Sequence, residues 1–163
     1  MTKIKSIVAA AIIAAIFPLT GFAQDCISSS GAVLTVNEAG RSYRASAITD
    51  YIANIGPRDM QNSNGVMLGN FAAVIQQDRA NLYKMGWADG DGPFTDSVDG
   101  YFTTPARRAA LSTAKYFTNC GMSARETQAL KDDILNARIN GVIWVVPFNR
   151  ANGGLGVYIS NVN

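Results

Sequence analysis

Residues 142–162, VIWVVPFNRANGGLGVYISNV, decide the fold class. The segments 142–148 and 155–162 are rich in Val, Ile, Trp and Tyr, side chains that suit a pleated, half-buried surface. Between them, 149–154 supplies the Asn and Gly of a turn, so the pattern predicts a terminal β-hairpin. Leu155, Val157 and Ile159 recur at period two and share one face. Pro147 has no backbone N–H, which argues for a strand at a sheet edge or at a bulge.

Upstream of this hairpin the apolar period lengthens to that of helices. Ser123 with Glu126 three residues on reads as a capping box opening a helix to about residue 139. That helix would bury Leu130, Ile134 and Ala137, with Lys131, Asp132, Asp133 and Arg138 in solvent. Thr104-Pro105 combines a hydroxyl cap with Pro at the first helical position, predicting a helix over 104–119 with Leu111, Ala114 and Phe117 inward. Over 66–85, Leu68, Phe71, Ile75 and Leu82 recur at core-facing spacing, widened by Met67, Val74 and Tyr83. Gln76, Gln77, Arg79 and Lys84 fall on the opposite, polar side, and Gly86 stands where a left-handed terminating residue belongs. A shorter helix is expected over 46–55, capped by Ser46 and stopped by Gly56-Pro57, followed by a polar loop over 58–65. Residues 32–36 and 41–44, around the turn 37–40, read as an N-terminal hairpin. The expected fold is α+β: an N-terminal β-hairpin, about four helices and a C-terminal β-hairpin, the two hairpins in one sheet with helices on one face.

The beginning of the chain carries an address. Lys3 and Lys5 precede an apolar run over 7–19, and Gly21-Phe22-Ala23 supplies small residues for signal-peptidase cleavage after residue 23. Residues 24–163 are then expected as one domain, periplasmic or secreted, with no membrane span in the mature chain. Lys3 and Lys5 leave with the signal, so the 14 basic side chains become 12 against 12 acidic ones. That balance removes any electrostatic case for nucleic acid. In an oxidising compartment the two cysteines, Cys26 and Cys120, are expected to form a disulfide.

The chain contains no His. This excludes Ser-His-Asp and Cys-His nucleophiles, His-liganded zinc and haem, and a His pH sensor. No cofactor motif is present, and the remaining chemistries are carboxylates, oxygen-bound hard cations, or binding alone.

Residues 85–105, MGWADGDGPFTDSVDGYFTTP, concentrate the candidates. Asp89, Asp91 and Asp99 each precede Gly, a turn-forming pair, so local backbone geometry accounts for much of the composition. A calcium loop beginning at Asp89 fails by register, because Phe94 falls at its obligatory Gly and Gly100 at its bidentate acid. Asp96 and Asp99 beside Trp87, Phe94, Tyr101 and Phe102 offer two alternatives: carboxylate hydrolysis of a cell-wall glycan or peptide, or a recognition surface with rigid aromatic contacts. Trp87, Phe94 and Phe102 can instead fold inward and pin the loop. Arg107 and Arg108, in the first turn of their helix, oppose its dipole and are expected to ion-pair with Asp96 or Asp99 rather than form an anion site. The expected function is that of an exported, non-enzymatic binding protein of inhibitor, immunity or envelope-accessory type. It would recognise a protein or cell-envelope component through 85–105, with Trp87, Phe94, Asp96, Asp99, Tyr101, Phe102, Arg107 and Arg108 as binding residues. The alternatives are the carboxylate hydrolase and a calcium-stabilised structural module.

Overall fold

A computed structural model describes residues 24–29, 31–136 and 142–162. The signal-peptide reading of 1–23, and the inward placement of Ala137, lie outside these residues. The described chain is mixed α+β, with one seven-stranded sheet, three α-helices and a Cys26–Cys120 disulfide. The strands are β1 Cys26–Ser29, β2 Val33–Glu38, β3 Arg41–Ser46, β4 Tyr51–Asn54, β5 Lys115–Asn119, β6 Val142–Asn149 and β7 Leu155–Asn161. The helices are α1 Phe71–Ala80, α2 Pro105–Thr113 and α3 Ala124–Leu135. The sheet order is β3-β2-β1-β5-β7-β6-β4, with parallel pairing at β1–β5 and β5–β7 and antiparallel pairing elsewhere.

Both hairpins form, as β2–β3 and β6–β7, but they are not neighbours. β1 and β5 stand between them in the sheet. The far ends of the sheet also approach each other: Ala47, just past β3, bridges Phe148 of β6, and Ile48 N donates to Pro147 O at 2.8 Å. The curled sheet therefore has two apolar faces. Ile27, Leu34, Val36, Phe117, Val146 and Phe148 pack together inside the curl. Ile143, Val145, Val157 and Ile159 point the other way, against Val74 and Ile75 of α1, Leu111 of α2 and Ile134 of α3. The alternation along β6 and β7 is the period-two pattern of a sheet covered on both faces.

Pro147 lies in an interior strand, yet the rule behind the edge expectation holds locally. The β4 ladder on β6 ends at Val145. Pro147, two residues on, turns its carbonyl toward Ile48, so its missing N–H breaks no β4–β6 bond.

The expected four helices become three. Residues 46–55 form no helix, because Tyr51, Ala53 and Ile55 are all buried and alternate with half-buried Ile52 and Asn54. That is strand periodicity, and pairing with β6 stabilises it. The helix expected over 104–119 stops at Ala114, whose ψ of 151° turns the chain into β5. Phe117 is buried as expected, but inside the curled sheet and not on a helix face. Residues 66–70 of the helix expected over 66–85 form no helix, and α1 starts only after Asn70, whose side chain accepts from Ala73 N. After α1 the chain widens into a π turn, Asn81–Met85, closed by Gly86 at φ 69°. Thr104 caps α2 and Ser123–Glu126 forms the capping box of α3, both as expected.

Candidate functional site

The loop that follows the π turn is built around a buried arginine. Arg79 sits four residues after Ile75 and three before Leu82, on the apolar face of α1, and its side chain is 0% exposed. It was expected in solvent; in the core, carboxylates, a carbonyl and an aromatic ring surround it, and Nη2 alone of its nitrogens makes no hydrogen bond. Nε donates to Asp78 Oδ2 at 2.7 Å, and Nη1 donates to Ser97 O at 2.7 Å and Asp99 Oδ2 at 3.3 Å. Nη2 lies 3.5 Å from Asp96 Oδ1. The ring of Tyr51 lies beneath the guanidinium at 4.1 Å. Burial pushes the Asp78 carboxyl well above the carboxylate range, with Asp96 and Asp59 adding to the effect and Arg79 opposing it.

Asp96 and Asp99 hold backbone. Asp96 accepts from Asn54 N at 2.6 Å and from Asp89 N at 2.8 Å. Asp99 Oδ1 accepts from Tyr101 N and Phe102 N, each at 2.7 Å. The Tyr83 hydroxyl accepts from Asp99 N and Gly100 N. Ser97 completes the arrangement: its N–H donates to Ile52 O at 3.0 Å and its Oγ accepts from Ile52 N at 2.8 Å. Residues 94–97 thus cover the free edge of β4, where unpaired strand groups would otherwise face solvent. With their oxygens committed in this way, Asp96 and Asp99 are poorly disposed to act as an acid and base across a glycosidic bond. Among the described residues, no group of three or more His, Cys, Asp or Glu is placed to hold a metal ion.

Arg107 and Arg108 do not pair with these carboxylates. Arg107 Nη1 donates to Tyr101 O at 3.1 Å and its guanidinium stacks on the Tyr101 ring. Arg108 is buried and donates to Phe102 O and Thr103 O. Both satisfy carbonyls at the loop's end, and Arg79 supplies the charge that they were expected to supply.

The aromatic residues divide. Phe102 is fully buried, edge-on to both Tyr51 and Tyr101. Trp87 and Phe94 remain 42% and 47% exposed. Trp87 follows the π turn and borders a groove of about 440 Å³ between that turn and 58–63. Arg58, Lys84, Met85 and Trp87 line it together with amide and hydroxyl side chains, among them Gln61, Ser63 and Asn81. The Arg58 guanidinium stacks 5.2 Å from the Trp87 ring. Asn81 ties the groove to the interior, accepting from Gln77 Nε2 and donating to the buried Asp59 at 2.8 Å and to Arg58 O. Burial raises Asp59 to about 6, against hydrogen bonds from Gly56 N and Asn81 that lower it.

Of the eight expected binding residues, the structure brings only Trp87 to this groove. Asp96, Asp99, Phe102 and Arg108 serve the loop's interior, while Tyr101 and Arg107 stack on each other at its far end. Arg58 and Lys84 were hidden by their polar surroundings, and no spacing rule marks them. No protein family, curated protein or solved structure matches the chain.

Proposed function

We propose that the chain is an exported, non-enzymatic binding protein that recognises a protein or cell-envelope component through 85–105. Inhibitor, immunity and envelope-accessory roles share this chemistry. The observation that carries the reading is the contrast between a rigid loop interior and two exposed rings. Arg79, Asp96 and Asp99 fix the backbone, while Trp87 and Phe94 stay about half exposed on top of it. Large aromatic side chains on a backbone that is already ordered form contacts at low entropic cost, which is where interface energy concentrates. The π turn before Trp87 adds support, since such turns recur at functional sites.

The test is capture of a partner from the envelope fraction by the chain beginning at Gln24, followed by titration of the purified partner. Substituting Trp87→Ala and Phe94→Ala together is expected to weaken binding at least about a hundredfold, or about 2.7 kcal/mol. Unfolding free energy should shift by no more than about 1 kcal/mol, because neither ring is in the core. Unchanged affinity in the double variant would overturn the reading. So would turnover of cell-wall glycan or peptide by the unaltered protein.

A further inference from the structure

We infer that the groove bordered by Trp87 takes an acidic peptide segment of a protein partner, with a carboxylate facing Arg58 and Lys84 and an apolar neighbour against Met85 and Trp87. This rests on the binding reading above and names the chemistry of its partner.

Charge complementarity carries the inference. Two cations line the groove and no carboxylate does. Among the described residues Lys84 makes no ion pair, and Arg58 makes one, a 3.9 Å contact with Asp89, while 60% of its side chain remains exposed. A solvated pair at that distance is worth about 0.2–1 kcal/mol and yields readily to a better-placed carboxylate. Arg and Trp stacked together at the groove's rim are the side chains most enriched at the energetic centres of protein interfaces. Met85, half exposed, adapts its shape to neighbouring apolar side chains. Gln61 and Ser63 make no side-chain hydrogen bond among the described residues, leaving donors and acceptors for a peptide backbone. A volume of about 440 Å³ accommodates a few residues and not a folded domain.

The test is a synthetic peptide array in which Asp or Glu, their amides, or Lys alternate with Leu and Phe, probed with the chain beginning at Gln24. Acidic peptides are expected to bind at least about tenfold more tightly than their amide counterparts, and Lys peptides not at all. Lys84→Glu and Arg58→Glu should each abolish that preference, and both together should reverse it toward Lys peptides. Both positions are exposed, so far-ultraviolet circular dichroism should show an unchanged fold. Equal binding of acidic and amide peptides, or an unaltered preference in the charge-reversed variants, would overturn the inference. Tighter binding of oligogalacturonate than of any peptide would overturn it in favour of an acidic glycan. If the charge-reversed variants keep full affinity for a partner that the Trp87/Phe94 variant loses, the inference fails and the binding reading stands.

Discussion

The guanidinium of Arg79 lies 4.1 Å above the ring of Tyr51, with both side chains shut away from solvent. Through this stack α1 meets β4, and through its nitrogens α1 holds Ser97 and Asp99 of the following loop. Removing one partner of such a buried ion cluster leaves uncompensated charge behind. Arg79→Met is therefore expected to cost about 3–5 kcal/mol in chemical denaturation. Arg79→Lys should recover little of this, because one ammonium cannot serve Asp78, Ser97 and Asp99 in the planar geometry that the guanidinium provides. Wild-type-like stability of the Lys variant would show that charge alone suffices.

Much of this was legible in the sequence, and the misreadings have particular causes. The terminal hairpin, the caps at Thr104 and Ser123 and the stop at Gly86 rest on local chemistry, the Cys26–Cys120 bridge on there being two cysteines and no more, and all are present. β4 and β5 were read as helix because each is short and gains its stability from neighbours distant in sequence. Tyr51 pairs with Val145, and Phe117 with Tyr158. Arg79 was assigned to solvent on its charge, although its spacing from Ile75 and Leu82 already placed it among core positions. The Asp residues that require a cation sit up to twenty residues later, and only the folded chain brings them to it.

Asp59 and Glu38 should give stability a maximum in mildly acidic solution. Burial raises Asp59 from 3.8 to about 6, so its contribution to folding is full below about pH 4 and is lost as pH rises through about 6. Asp78 shifts in the same direction. Burial acts to raise Glu38 as well, but bonds from Arg150, Tyr43 and Lys115 prevail and lower it from 4.5 to about 2. Its contribution is full above about pH 4.5 and is lost as pH falls toward about 2. Urea denaturation from about pH 3 to about pH 8 should show both limbs. Asp59→Asn is expected to flatten the upper limb and Glu38→Gln the lower one. An upper limb unchanged in Asp59→Asn would refute the assignment.

The disulfide should matter more than any single ion pair. Cys26 and Cys120 are 94 residues apart, and the bridge joins β1 to the residue after β5, next to the parallel β1–β5 pairing. Loop entropy assigns such a link about 4–5 kcal/mol. Replacing both cysteines with Ser is expected to lower the denaturation midpoint accordingly, while a loss below about 1 kcal/mol would mean that the β1–β5 pairing persists in the unfolded chain.

Two glycines on the same loop separate backbone strain from steric collision. Gly90 and Gly100 both adopt positive φ, 91° and 69°. A Cβ at Gly100 would meet nothing within 4 Å, so Gly100→Ala should cost only the left-handed conformation, about 1–2 kcal/mol. A Cβ at Gly90 would collide with the Asn54 side-chain amide and with the Phe94 carbonyl. Those two groups are hydrogen-bonded to each other at 2.9 Å, in the contact that holds the loop on the edge of β4. Asn54 could swing away only by breaking that bond, and the carbonyl belongs to backbone. Gly90→Ala should therefore add the collision to the strain and exceed Gly100→Ala by at least about 1–2 kcal/mol in paired denaturation curves. Equal costs would mean that residues 90–94 do not press on Asn54, and the loop would then be free to move off the strand edge.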